Sequence, residues 1–250
     1  MRDLRATNSL HALRGWRNEE YGVYVHDRAK ALFAIERSAS SLLGISRYGC
    51  HVNGYFVQRT DPARGRGEYA ENGPSDLNGI SPKFAPEWTT DPSRVMMWLG
   101  VRSLSKPTWP GMLDNMAAGG LTFGLNVMEC ARKECKEEAS IPEALLDKLK
   151  PVSRLSYIFE DERRVCPQVE HCFDLEVTHH IVPVGADGEV DSFQLVSVAQ
   201  VKEVILSEQS KSNSALVVLD FLYRHKFIDA DSDPRHNDIL SLMHVQFEFG

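Results

Sequence analysis

The sequence predicts a layered protein of the α/β or α+β class, and three observations carry that expectation. Strand-like and helix-like segments alternate along the chain. The 250 residues are 42% hydrophobic and 25% charged, enough for one large domain or two small ones with proper cores. No apolar run approaches the length of a membrane span, which argues against an integral membrane protein.

The elements follow in order. Residues 20–25 (EYGVYV) and 31–35 (ALFAI) are short apolar runs that read as strands. Residues 38–43 read as a turn or short helix, and 49–57 (GCHVNGYFV) as a further strand. Four glycines and five prolines then crowd residues 61–92, out of 17 and 12 in the whole chain, so this stretch reads as an irregular loop or linker. Beyond it, 95–101 (VMMWLGV) is a strand, 128–138 a helix, and 142–149 a second helical stretch. Strands are expected at 152–159 and 170–177, whereas 198–206 and 215–225 carry apolar residues at helical spacing. The expected organisation is an N-terminal α/β extension over 1–60, the loop over 61–92, and a main domain over 93–250.

Charge and cysteine usage narrow the function. With 28 Lys and Arg against 35 Asp and Glu, the net charge is −7, which weighs against a dedicated nucleic-acid binder. The five cysteines are odd in number, scattered and without a CxxC pair, so neither a disulfide framework nor a structural zinc site is expected. The amino terminus leads into no apolar stretch of signal-peptide type, and a reducing cytoplasm is the expected location. An anionic substrate would need a local cation, such as a bound metal.

The chemistry concentrates in residues 109–142, WPGMLDNMAAGGLTFGLNVMECARKECKEEASIP. Asn126 is an N-cap type with Glu129 three residues on, close to a capping box. Glu134, Glu137 and Glu138 follow at i, i+3 and i+4, which places three carboxylates on adjoining positions of one helical face. Such a cluster alone reads as a solvated acidic face. Alternatively, it is a site for a hard divalent cation, which prefers carboxylate oxygens together with substrate phosphates. Ahead of it, Ala118, Gly119 and Gly120 offer backbone that can approach a metal or a phosphate closely.

This segment resembles the Nudix box, G-x5-E-x7-R-E-U-x-E-E-x-G-U with U aliphatic. Its first glycine falls on Gly119, its core on Lys133-Glu134-Cys135-Lys136-Glu137-Glu138, and its closing position on Ile141. The flanking text WRNEEYGVY (16–24), ERSASSLLGISRYGCHVNGY (36–55), DGEVDSFQLVSV (187–198) and NSALVVLDFLYRH (213–225) is similar to the thiamine-diphosphate-related Nudix subfamily. Some members of that subfamily are fused to thiamine pyrophosphokinase, and no such domain is expected within these 250 residues. The resemblance implies an α/β/α sandwich with a mixed sheet, plus the small N-terminal α/β extension. It also implies Mg²⁺ (or Mn²⁺) bound by Glu134, Glu137, Glu138 and the Ala118 carbonyl, the same glutamates being catalytic. The implied reaction is hydrolysis of thiamine diphosphate, or of its oxidised or damaged analogues, to the monophosphate and phosphate. Another nucleoside diphosphate derivative, or diphosphate binding without efficient turnover, are the alternatives.

Three box positions depart from the pattern: Leu125 replaces the first glutamate, Lys133 the arginine and Ser140 the late glycine. The ion pair that would hold the loop onto the helix is therefore lost, since Leu125 is apolar and Lys133 lacks the planar fork. A less rigid loop and reduced activity are expected. Gly119, Gly120, His51, Asn53 and Trp109 are candidates to contact substrate. Glu170 is a further acidic candidate, or else an ordinary strand glutamate. Trp16, Tyr48, Tyr55 and Trp109 could stack on a heterocycle or belong to the core. The expected partner is a small-molecule diphosphate, with no nucleic acid and no membrane, and a homodimer is compatible with the sequence.

Overall fold

The structure is a computed structural model that describes residues 1–24, 30–58, 88–161 and 164–246. Most of the Gly/Pro-rich stretch at 61–92, and Val25 of the first expected strand, lie outside the described residues.

The chain begins with a small unit: helix α1 (Arg2–Ala6), strands β1 (Glu20–Val23) and β2 (Phe33–Glu36), and helix α2 (Arg37–Ser40). The two strands pair antiparallel, Glu20 opposite Glu36 and Val23 opposite Phe33. Leu13, Ile35 and Ala39 form this unit's own apolar cluster. There follow β3 (Arg47–Val57), β4 (Val95–Arg102), β5 (Leu113–Asn115), β6 (Ala117–Gly120), α3 (Val127–Ala139) and α4 (Glu143–Leu146). The chain continues through β7 (Lys150–Asp161), β8 (Arg164–Glu176), β9 (Val190–Ser197), α5 (Val198–Ile205), α6 (Ser212–Arg224) and α7 (His236–Met243).

Strands β3 to β9 form one seven-stranded mixed sheet, in which β3 and β8 run parallel and the other pairs antiparallel. Its central feature is a split. β3 and β4 pair only through Gly54–Val57 and Val95–Trp98. Beyond that point β5 pairs with β4 while β6 pairs with β3, so residues 113–120 act as a wedge between two diverging strands. The strand expected at 49–57 is thus the central strand of the large sheet and not an element of the N-terminal unit.

Both faces of the sheet are covered, as strand alternation requires. On one face Cys50, Val52, Phe173 and Leu175 pack against Cys130, Ala131 and Cys135 of α3. On the other, Tyr55, Val57, Val95 and Met97 pack against Val198, Val201, Val218, Phe221 and Leu222 of α5 and α6. Leu155 and Cys172 pack there too, against Val217, Tyr223 and Met243. Each large side chain so buried contributes about 1.5–3 kcal/mol. Several expectations differ in detail from the structure. The helical stretch at 142–149 shortens to α4, and β5, β6, β9 and α7 appear where no element was expected. No helix among the described residues is long and apolar enough to cross a membrane.

Candidate active site

Helix α3 starts with a reciprocal capping box: the Glu129 N–H donates to Asn126 Oδ1 at 2.9 Å, and the Asn126 N–H donates to Glu129 Oε2 at 2.8 Å. This satisfies two backbone donors and fixes where the helix begins, hence which residues face the sheet. Its end is Ser140 in the left-handed region (φ 51°), where the family pattern has glycine. The Ser140 hydroxyl donates to the Val184 carbonyl at 2.7 Å, which offsets part of that conformational cost.

Between these ends the three glutamates differ. Glu134 and Glu138 are buried and Glu137 is exposed. Lys133 spans Glu134 (3.2 Å) and Glu137 (2.7 Å). Glu138 Oε2 accepts only the Ala118 N–H among the described residues, at 2.7 Å. In an extended strand a residue's N–H and C=O point the same way. The Ala118 carbonyl is therefore directed toward α3 as well. Burial, the Asp114 charge and the charges of Glu134 and Glu189 together push the Glu138 carboxyl up to about 8. Burial raises Glu134 too, against the pull of Lys133.

Gly119 lies directly under Glu134, so a Cβ there would collide with the carboxyl group. At Gly120 a side chain would strike the Tyr21 hydroxyl, and at Gly49 the Glu170 carboxyl. These three glycines make a thin patch in the sheet with Glu134 on one side and Glu170 on the other.

Sequence reasoning missed two acids. Carboxylate oxygens of Asp187 and Glu189, just before β9, lie with one of Glu138 within 4.8 Å of one another. All three offer hard oxygen ligands, and among the described residues no cation pairs with Glu138, so the set suits a divalent cation such as Mg²⁺ or Mn²⁺. Lys106 pairs with Glu189 at the edge of this group. The only advance signal was that these two acids fall in DGEVDSFQLVSV, one of the segments resembling the subfamily.

His51, Asn53 and Glu170 occupy the opposite face, under α6, and all three are buried. His51 Nδ1 lies 2.7 Å from Asn115 Oδ1, which places the proton on Nδ1. Asn115 Nδ2 donates to Asn53 Oδ1 (3.0 Å), and Asn53 Nδ2 donates to Asp174 Oδ1 (3.2 Å). Asp174 in turn receives Arg224 at 2.7 Å. Glu170 has His51 Nε2 at 3.4 Å, and it accepts from Asn213 (3.3 Å) and Tyr157 (3.2 Å). Burial alone would raise Glu170, but His51, Lys211 and Asn213 hold it down at about 2. The structure thus brings Glu134, Glu137, Glu138, Ala118, Gly119 and Gly120 together. It keeps His51 and Asn53 apart from the helix acids, across the sheet. Trp109 is half exposed on the loop between β4 and β5, and its carbonyl accepts from Arg102 Nε at 3.0 Å.

The loop that lost its box ion pair is held in other ways. Leu125 packs against the apolar cluster under α3. The Leu121 N–H donates to the Tyr48 carbonyl and the Phe123 N–H to the Glu20 carbonyl, both at 2.8 Å. Beside it, a cavity of about 410 Å³ is lined by Tyr24, Tyr48, Ile45, Ile158 and Pro167, mostly apolar in character.

The NUDIX domain family matches residues 89–217, and a domain of unknown function (DUF4743) matches residues 1–47. Among curated proteins, the chain is 39% and 38% identical to Nudix hydrolases 24 and 20, both chloroplastic, of Arabidopsis thaliana. Each of those matches covers 87% of this chain, and 51% and 50% of the respective relatives. It is 30% identical to the uncharacterized protein YJR142W of Saccharomyces cerevisiae over 99% of this chain and 66% of that one. The chain therefore spans half to about two thirds of the length of these relatives.

Proposed function

This chain belongs to the NUDIX domain family, and we propose that it is a divalent-metal-dependent diphosphatase that hydrolyses a phosphoanhydride bond. The observation that carries the reading is Glu138: a buried carboxylate among other carboxylates, with one backbone N–H and no cation paired to it among the described residues, pushed up to about 8. Bringing a cation to it relieves that cost.

Glu134, Glu137, Glu138 and the Ala118 carbonyl would hold Mg²⁺ or Mn²⁺, and Asp187 and Glu189 lie close enough to Glu138 to share in it. When bound, such a metal neutralises diphosphate charge and lowers the pKa of a bound water. The chain itself does the rest. Glycines 119 and 120 keep side chains out of the space above the β6 backbone, and Lys133 steadies Glu134 and Glu137. Phe123 and Leu121 tie the loop to β1 and β3.

The proposed substrate is thiamine diphosphate or an oxidised analogue, cleaved to the monophosphate and phosphate. It rests on the subfamily resemblance, and the apolar cavity with Tyr24 and Tyr48 suits a heteroaromatic ring. Leu125 is the feature that favours diphosphate binding without efficient turnover. A cytoplasmic setting belongs to the same proposal, supported by five cysteines that are free and buried. Phosphate release across thiamine diphosphate, oxothiamine diphosphate and nucleoside diphosphates, with and without Mg²⁺, tests the reading. Release that needs Mg²⁺, favours the thiamine compounds and disappears in Glu137→Gln is expected. Release unchanged in Glu137→Gln would move the chemistry elsewhere, and release from no compound would leave the binding reading.

A further inference from the structure

The small N-terminal unit touches the active-site loop directly, through the Phe123 N–H on the Glu20 carbonyl and the Tyr21 hydroxyl against Gly120. It also brings two guanidinium groups. Arg37 lies with its Cζ 5.6 Å from the Tyr21 ring centroid and pairs with Glu19 at 2.7 Å. Arg17 reaches Thr108, on the loop between β4 and β5, with a single 3.4 Å hydrogen bond from Nη2.

Each guanidinium offers five N–H donors in a fixed fork. Among the described residues, the Arg17 side chain uses one of them, weakly, and Arg37 has one carboxylate partner. Both are half buried, so their charges are poorly screened. They also repel each other: burial and the Arg37 charge lower Arg17, whereas Glu19 and Glu189 oppose this. On the other side, Arg37 feels the charge of Glu134. Two cations with N–H donors to spare are thus held by Tyr21, whose hydroxyl meets Gly120, and by Thr108. Arg37 keeps Glu19 as its one carboxylate and Arg17 has none among the described residues, so a phosphoryl group would supply three acceptor oxygens to donors left unused.

We propose that Arg17 and Arg37 bind a phosphate group of the diphosphate substrate, so that the N-terminal unit completes the active site. This rests on the diphosphate reading of the α3 site. The ligand chemistry is a tetrahedral phosphoryl anion presented beside a metal-held neighbour, which a lone inorganic phosphate would reproduce only in part.

The test is calorimetric titration with imidodiphosphate in the presence of Mg²⁺, using the full chain and the variants Arg17→Gln, Arg37→Gln and Glu19→Gln, with inorganic phosphate as a second probe. The expected result is binding by the native chain that weakens at least tenfold in each arginine variant. Glu19→Gln should bind equally well or more tightly, because it frees Arg37. Inorganic phosphate should bind more weakly and show the same arginine dependence. Arg17→Lys and Arg37→Lys, which keep the charge and the fold but lose the fork, should fall between native and glutamine variants. The proposal is overturned if both arginine variants bind within twofold of the native chain. It is also overturned if Glu19→Gln loses as much as Arg37→Gln, which would make the pair merely structural, or if the native chain does not bind imidodiphosphate. Because imidodiphosphate resists hydrolysis, failure of the enzymatic reading shows as binding without phosphate release from any diphosphate, with the arginine dependence intact.

Discussion

Glu138 and Glu170 are the same residue type, almost equally buried, and lie on opposite faces of one sheet, yet their carboxyl groups move in opposite directions. Glu138 is pushed up to about 8 and Glu170 held down at about 2. Desolvation acts on both alike. What differs is the company: under α6 each acid meets a donor or cation, as Glu170 meets His51 and Asn213, Asp174 meets Arg224, and Asp114 meets Arg102 and Lys211. Against α3, Glu138 meets a backbone N–H and further acids. A buried charge that is fully paired is an element of structure, whereas one left short of a partner points to a ligand.

The largest effect expected from this contrast is on activity. Glu138→Gln should lower turnover about 10³-fold, roughly 4 kcal/mol in barrier height. It should leave the metal-free chain at least as stable as before, because a neutral amide suits the site. Phosphate-release rates and thermal unfolding of the same preparation check both halves, and a loss of stability matching the loss of rate would erase the distinction between the faces.

The mirror experiment is on the other face. Asp174→Ala removes one of the two carboxylates that hold Arg224, leaves Asp220 as the other, takes away the partner of His225 and interrupts the chain from Asn53, and should cost about 1–3 kcal/mol in urea unfolding. Rate per folded molecule should change little. A variant of native stability would show that the α6 network contributes nothing.

The two carboxylates should also give opposite pH signatures. The Glu170 pKa is depressed from 4.5, so its contribution is complete above about 4.5 and is lost as pH falls toward 2. The Glu138 pKa is raised from 4.5, so between about 4.5 and 8 the unfolded chain releases this proton while the folded chain keeps it. Stability of the metal-free protein then falls with rising pH, by at most about 1.4 kcal/mol per pH unit. Thermal midpoints across pH should flatten on the acid side in Glu170→Gln and on the alkaline side in Glu138→Gln, and Mg²⁺ should flatten the alkaline side of the native curve. Unchanged curves in both variants would contradict the assignment.

The smallest effect is at the loop. Restoring the box pair with Leu125→Glu and Lys133→Arg should raise turnover a few-fold, at about 1 kcal/mol of stability as Leu125 leaves its apolar contacts. Robust native turnover that the double variant does not raise would show that the ties from Leu121 and Phe123 already suffice.

How much of this was legible in the sequence follows from how local each feature is. Helix α3 was legible because its cap, its periodicity and its acids all lie within one segment, and the structure closes the Asn126–Glu129 box that the residues suggested. The wedge of β5 and β6 was not, since β5 is only three residues (Leu-Asp-Asn) and β6 four small ones (Ala-Ala-Gly-Gly), too short or too featureless to carry a periodic signal. β9 was also missed, because most of its residues are at least partly exposed and its alternation is weak. With β9 unseen, nothing brought Asp187 and Glu189 to Glu138, a contact spanning about fifty residues of chain. For His51 and Asn53, strand alternation says that they share a face, but only the packing of α3 and α6 says which.

The central claim is that the α3 acids, with Asp187 and Glu189, form one divalent-cation site, and calorimetric titration of the metal-free chain with Mn²⁺ tests it most directly. Saturable binding that Glu138→Gln abolishes, and that Asp187→Asn and Glu189→Gln weaken, is the predicted result. Saturable binding that survives Glu138→Gln unchanged would contradict it.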